Sequence, residues 1–254
     1  METGIVFFKK AIAMVGDNIN DAVRVSAVIY IVQFVIVTAL MVSITGGFDA
    51  AQLQDPAQMA QRAGGATISA LLIVVVTILS LSWIAVAWHR FVLLEEYAQG
   101  VVPAWNRARV MAYIWKSILL GLLIIGIAII PMMIVGMLAA VSPILSGLGM
   151  IALFAGIIWL STRLAMVLPA TAIGSEMTFA QAWKHTESRS KDIFVAAVLM
   201  SLIFSITGQV LQSFLPVNVI GAVVMGAFQW VATMVGLSLI TTIYGACVEG
   251  REIA

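Results

Sequence analysis

Charged side chains are missing from long stretches of this chain, and the lengths of those stretches set the number of membrane crossings. Val25 to Phe48 and Ala63 to Trp88 are each uncharged and each long enough for one helix. Ser117 to Thr162 runs 46 residues without a charge. As one helix it would measure roughly 69 Å against a hydrocarbon core of about 30 Å, so it folds back as a hairpin, with the break near Ser142-Pro143 and Gly147. Ile193 to Val248 is uncharged for 56 residues, and Pro216-Val217-Asn218 divides it into two further helices. The pattern predicts an all-α, polytopic integral membrane protein: one membrane domain over 1–254 with six transmembrane helices.

The charged connections carry a second pattern. From Thr178 to Ser190, Phe179, Ala182 and Trp183 recur at helical spacing, while Lys184, Glu187 and Arg189 take the opposite face. Thr178 with Gln181 fits a capping box. This predicts a short amphipathic helix lying in the membrane interface. Similar clusters, Phe8 to Ile12 and Val101 to Trp105, each precede a predicted hairpin. They suggest three tandem units over 5–92, 99–168 and 176–248, each an interfacial helix followed by two membrane helices.

Lysine and arginine fix the expected orientation, because cytoplasmic loops retain an excess of them. All of the 13 fall on one side of the predicted spans except Arg62, which lies in an outer loop from Gly47 to Gly65 with Asp49 and Asp55. The amino and carboxyl termini are therefore expected in the cytoplasm, and Lys9 and Lys10 followed by Asp17 do not form a cleaved signal peptide.

Composition agrees: 62% of residues are hydrophobic and 10% charged, more apolar surface than a water-soluble core of 254 residues can hide. A net charge of +1 argues against nucleic-acid binding. Cys247 stands alone, His89 and His185 lie in separate segments, and neither a metal site nor a cofactor is expected.

Arg163-Leu164-Ala165-Met166-Val167-Leu168-Pro169-Ala170, with Ile173-Gly174 and then Phe179-Ala180-Gln181-Ala182-Trp183, resembles a group of bacterial six-helix membrane proteins. These are similar to the membrane domain attached to some glycerophosphodiester phosphodiesterases; Arg90 to Leu94 with Glu95 or Glu96 fits the same pattern. The resemblance implies a fold and a location in the bacterial inner membrane. It implies no phosphodiesterase chemistry, which belongs to a separate soluble domain.

Two arginines invite a functional reading. Arg163 interrupts an apolar run from Gly147 to Gly174; its side chain either snorkels to the headgroups or joins Arg90 in binding a lipid phosphate. Glu95 and Glu96 are the ion-pair partners within reach of these arginines. Tyr113, Trp115 and Lys116 read as an interfacial anchor set. Ser201, Ser205 and Gln209 form a polar stripe on the fifth span, a candidate path for a solute. With no paired catalytic groups, the expectation is a non-catalytic scaffold, assembly or lipid-interacting component. It would associate with membrane lipids and with a membrane protein partner or a second copy of itself. The alternative is a transporter or channel for a small or lipid-like solute.

Overall fold

A computed structural model of the chain describes residues 2–45 and 56–252, and every regular element among them is an α-helix. In order these are α1 (Glu2–Asp17), α2 (Ile19–Thr45), α3 (Pro56–Leu94), α4 (Arg107–Val141), α5 (Pro143–Leu164), α6 (Val167–Ile173), α7 (Phe179–His185), α8 (Ser190–Phe214) and α9 (Val219–Cys247). Six segments are long and apolar enough to cross a membrane: α2, Gly65–Leu94 of α3, α4, α5 continued through α6, α8 and α9. The chain is a polytopic all-α membrane protein. The predicted outer loop, with Asp49, Asp55 and Arg62, lies outside the described residues and side chains.

The breaks between spans form where the residues require them. Ser142 is a single extended residue shared by two helices: its N–H donates to the Leu138 carbonyl at the end of α4, and its hydroxyl accepts from the Leu145 N–H at the start of α5. Pro143 follows at the first turn, where a missing N–H costs nothing. In the other uncharged run, Leu215 ends α8 and the Asn218 side chain caps α9 by accepting from the Gly221 N–H. A Cβ on Gly221 would sit 2.0 Å from the Pro216 carbonyl oxygen, so this turn closes only with glycine there.

The helices form three antiparallel hairpins. In the first, the hydroxyls of Ser43 on α2 and Ser69 on α3 lie 3.3 Å apart; in the second, Ser146 on α5 donates to the Val135 carbonyl of α4; in the third, Phe204 on α8 and Phe228 on α9 stack at 5.9 Å. Away from the charged ends, the helices pack along narrow seams. On α4 the residues withdrawn from the surface are Gly121, Ile124, Ala128, Pro131, Val135 and Leu138, alternating three and four apart like one stripe of a coiled coil. On α8 beyond Met200 they are Ser201, Phe204, Gly208 and Leu211, with Leu215 just past its end. The intervening large residues, such as Ile130 at 68% and Phe214 at 83% exposure, point away from the chain.

The buried core lies at the other end, on the membrane face that carries both ends of the described chain. Here Ile84 to Phe91 of α3, Val110 and Tyr113 of α4, most of α6 and the last three turns of α9 close around one another. Amphipathic α1 completes this base by laying Phe7, Ala11 and Val15, spaced four apart, against α8 and α9. Gly4 lets the two backbones approach: a Cβ there would fall 2.7 Å from the Asp192 carbonyl oxygen and 2.8 Å from the Val195 Cβ.

Three local features add to or depart from the pattern of the sequence. Val101 to Trp105 is not helical; Pro103 is buried while its neighbours are exposed, and the second tandem unit enters its hairpin through irregular chain. The run through Pro169 is not one continuous helix, because α5 ends at Leu164 and α6 restarts at Val167. Helix α4 starts at Arg107, ten residues ahead of the uncharged run. At 35 residues it measures roughly 52 Å, longer than a bilayer core of about 30 Å, and its first ten residues carry the charges of Arg107, Arg109 and Lys116.

Gly4→Val should force α1 away from α8 and cost about 1–3 kcal/mol of stability, as overpacking does. It would be read as earlier thermal unfolding in detergent. Gly16→Ala, on the same helix with nothing within 4 Å of an added Cβ, should leave stability unchanged or slightly raised.

Candidate functional site

Four hydroxyls hold the base together by one repeated device. Each donates its proton to a carbonyl of its own helix and keeps a lone pair for an N–H arriving from another element. Ser26 on α2 donates to Ala22 and accepts from Trp230 Nε1 of α9 at 2.8 Å. Ser238 on α9 donates to Met234 and accepts from Trp88 Nε1 of α3 at 3.0 Å. Thr241 donates to Leu237 and lies 2.8 Å from His89 Nδ1. Thr186, the residue that ends α7, donates to Ala182 and accepts from Arg163 Nε of α5 at 2.9 Å.

The device also sets the tautomer of His89, which is fully buried. With the Thr241 proton committed to Leu237, Nδ1 must be the donor; in a neutral ring Nε2 is then an acceptor, and it faces the Tyr113 hydroxyl at 3.4 Å. Tyr113 is therefore not an interfacial anchor. It is 5% exposed and turned into the core, whereas Trp115 and Lys116 remain at the periphery.

Arg163 is buried, at 3% exposure, with its guanidinium held inside the protein. Its Nη2 donates to the Trp183 carbonyl at 2.7 Å, and its guanidinium carbon lies 3.5 Å from the centre of the Trp183 ring and 5.2 Å from that of Trp159. A cation thus binds the carboxyl-terminal carbonyls of a short helix and stacks on its aromatic side chain. The partners come from the capping-box helix α7, whose Thr178 and Gln181 satisfy each other as expected.

Arg90 occupies a different place. Its Nε donates to Glu96 at 2.9 Å, Nη2 pairs with the same carboxylate, and Nη1 donates to the Ala172 carbonyl of α6 at 3.1 Å. Glu95, exposed, takes a left-handed φ of 56° that ends α3 and returns Glu96 towards the arginine. Of the two glutamates, Glu96 is the partner. Arg90 and Arg163 share none of these contacts, and the expectation that they line one phosphate pocket is not met: each guanidinium is held by separate protein acceptors.

The polar stripe on α8 faces outward. Ser201 lies half-buried in the seam, but Ser205 and Gln209 are exposed and bond to each other, Nε2 to Oγ at 3.1 Å. A passage through the bundle would need them turned inward. Two features escaped the sequence reading. Gln229 on α9 is likewise exposed. Arg109 and Lys116 of α4 line a polar cavity of about 630 Å³ with the link between α6 and α7. Comparison with protein-family models, with curated proteins and with solved structures finds no match to this chain.

Arg163→Met and Thr186→Val should each destabilise the protein, and their double-mutant cycle should give a coupling of about 1–3 kcal/mol, the range of a hydrogen bond to a charged group. Arg163→Lys should not rescue, since an ammonium lacks the planar fork that stacks and donates together. Additive effects would show that the two act separately. Thr241→Val should orphan His89 Nδ1 and cost about 1–3 kcal/mol, measured as loss of thermal stability in detergent.

Proposed function

We propose that this chain is a non-catalytic assembly scaffold of the bacterial cytoplasmic membrane, with both termini in the cytoplasm and its membrane-facing hairpins as the working surface. The observation that carries this reading is the outward polar stripe on the third hairpin. Gln209 and Gln229 each follow by one residue a position in the seam where Gly208 and Phe204 meet Phe228. In an antiparallel pair of right-handed helices, the residues after facing positions turn to the same side. Ser205 and Gln209 of α8 therefore share one face of the hairpin with Gln229 of α9.

That face lies within the distal half of the membrane span: Gln209 is about 8 Å from the end of α8 and Gln229 about 15 Å from the start of α9. An amide facing hydrocarbon is costly, and a polar side chain from another membrane helix removes that cost. The preferred partner is a helix of another membrane protein or of a second copy. The commitment of Ser26, Ser238, Thr241, Thr186, Arg163 and Arg90 to internal bonds supports a structural rather than a catalytic base.

A photo-crosslinking residue placed at Ile206, beside the stripe, should capture discrete protein bands in native membranes. The same residue at Ile68, on α3, should not. Gln209→Leu with Gln229→Leu should abolish those bands while leaving thermal stability within about 0.5 kcal/mol, as for surface changes away from the core. Lipid adducts alone at Ile206, with solute uptake by proteoliposomes that the double substitution abolishes, would favour transport and overturn the scaffold.

A further inference from the structure

We infer that the cavity between α4 and the link joining α6 to α7 binds the phosphate of an anionic lipid headgroup, through Arg109 and Lys116. The inference rests on the chain being a membrane protein and is independent of any protein partner. Arg109, Ala112 and Lys116 stand at i, i+3 and i+7 on one face of α4, so both cations point to the same side. The length of α4 lifts this face above the hydrocarbon, to the level where headgroups lie.

The opposite wall is built around the Arg109 side chain. Gly174 ends α6 with φ of 90°, and a Cβ there would lie 2.6 Å from Arg109 Nη2. Glycine thus serves twice: it allows the left-handed turn and leaves room for the guanidinium against the backbone. Among the described residues, no carboxylate pairs with Arg109 and no acceptor takes its guanidinium protons. Lys116 donates to the Met177 carbonyl at 3.4 Å and lies 5.9 Å over the Phe179 ring, which holds the ammonium at the cavity and leaves two of its protons for a ligand.

Hydroxyls of Thr171, Ser175 and Thr178 complete the lining, with one acidic residue, the exposed Glu176. Two cations against one carboxylate leave a net positive site. A guanidinium fork beside an ammonium suits phosphate oxygens, the fork by paired N–H donors and the ammonium as a point charge. This contrasts with Arg90, whose charge is already answered by Glu96, and with Arg163, whose Nε and Nη2 already donate to Thr186 and Trp183.

The test is native mass spectrometry of the intact chain in neutral detergent, titrated separately with phosphatidylglycerol, phosphatidylcholine and inorganic phosphate. Wild type should retain one phosphatidylglycerol in preference to phosphatidylcholine, and Arg109→Gln with Lys116→Gln should weaken that retention about tenfold, or about 1.4 kcal/mol. Gly174→Ala should weaken it as well. Arg107→Gln with Lys184→Gln removes the same charge from the same membrane face and should leave retention unchanged. Saturable binding of inorganic phosphate, lost in the same variant, would support the phosphate chemistry and assign the site to a soluble anion in place of a lipid. Equal losses in the two charge-matched variants, or no loss in either, would overturn the site. Melting temperatures of the two charge variants in lipid-free detergent, close to wild type, separate loss of binding from loss of fold.

Discussion

A hydroxyl that bonds backward to its own helix and accepts an N–H from a neighbour is the contact on which the base of this protein depends. Apolar helices surrounded by lipid gain little from one another by the hydrophobic effect, since a lipid tail is as apolar as a leucine. What favours a particular neighbour is close packing and a hydrogen bond that lipid cannot offer. Ser26, Ser238 and Thr241 supply such bonds where α2, α3 and α9 converge, and Thr186 supplies one for α5 and α7. Because the proton of each hydroxyl is spent within its own helix, each accepts from a defined donor. The pairing is therefore specific in direction as well as in partner.

The two ends of the molecule consequently obey different physics. At the charged face, α1 and α7 bury Phe7, Ala11 and Ala182 against the base, and their lysines and other charged residues lie on this same face. Arg251 adds a polar tie there, donating to the Val92 and Leu93 carbonyls that α3 leaves unpaired at its end. In the distal halves the polar ties are local ones, Ser43 with Ser69 and Ser146 with the Val135 carbonyl, and close-packed seams hold the helices together. Gly226, against the Phe34 ring, and Gly208, against Phe228, mark close approaches of this kind.

Much of the fold was legible because lipid imposes a length rule and charges punctuate it. The breaks at Ser142-Pro143 and at Pro216 to Asn218 announce themselves by residue type, as does the capping box at Thr178 and Gln181. Contacts between distant positions were not legible in the same way. Thr186 stands 23 residues from Arg163, and Thr241 stands 152 from His89. A threonine in a long apolar helix looks the same whether it faces lipid, a seam or a histidine. For that reason Arg163 invited a choice between snorkelling and ligand binding, when its partners lie on a helix packed directly beneath it. Ser205 and Gln209 raised the same ambiguity: their spacing shows a stripe but not which way the stripe faces.

The single-seam hairpins have a mechanical consequence. A bilayer thicker or thinner than the spans asks helices to tilt, at a cost of fractions of a kcal/mol per ångström of mismatch. Here tilt can be taken up where the hairpins part, above a base whose hydrogen bonds stay intact and a contact of Phe34 and Tyr30 with Gly226 that ties the first hairpin to the third. Membrane thickness would thus change how far apart the distal turns stand without disturbing the charged face.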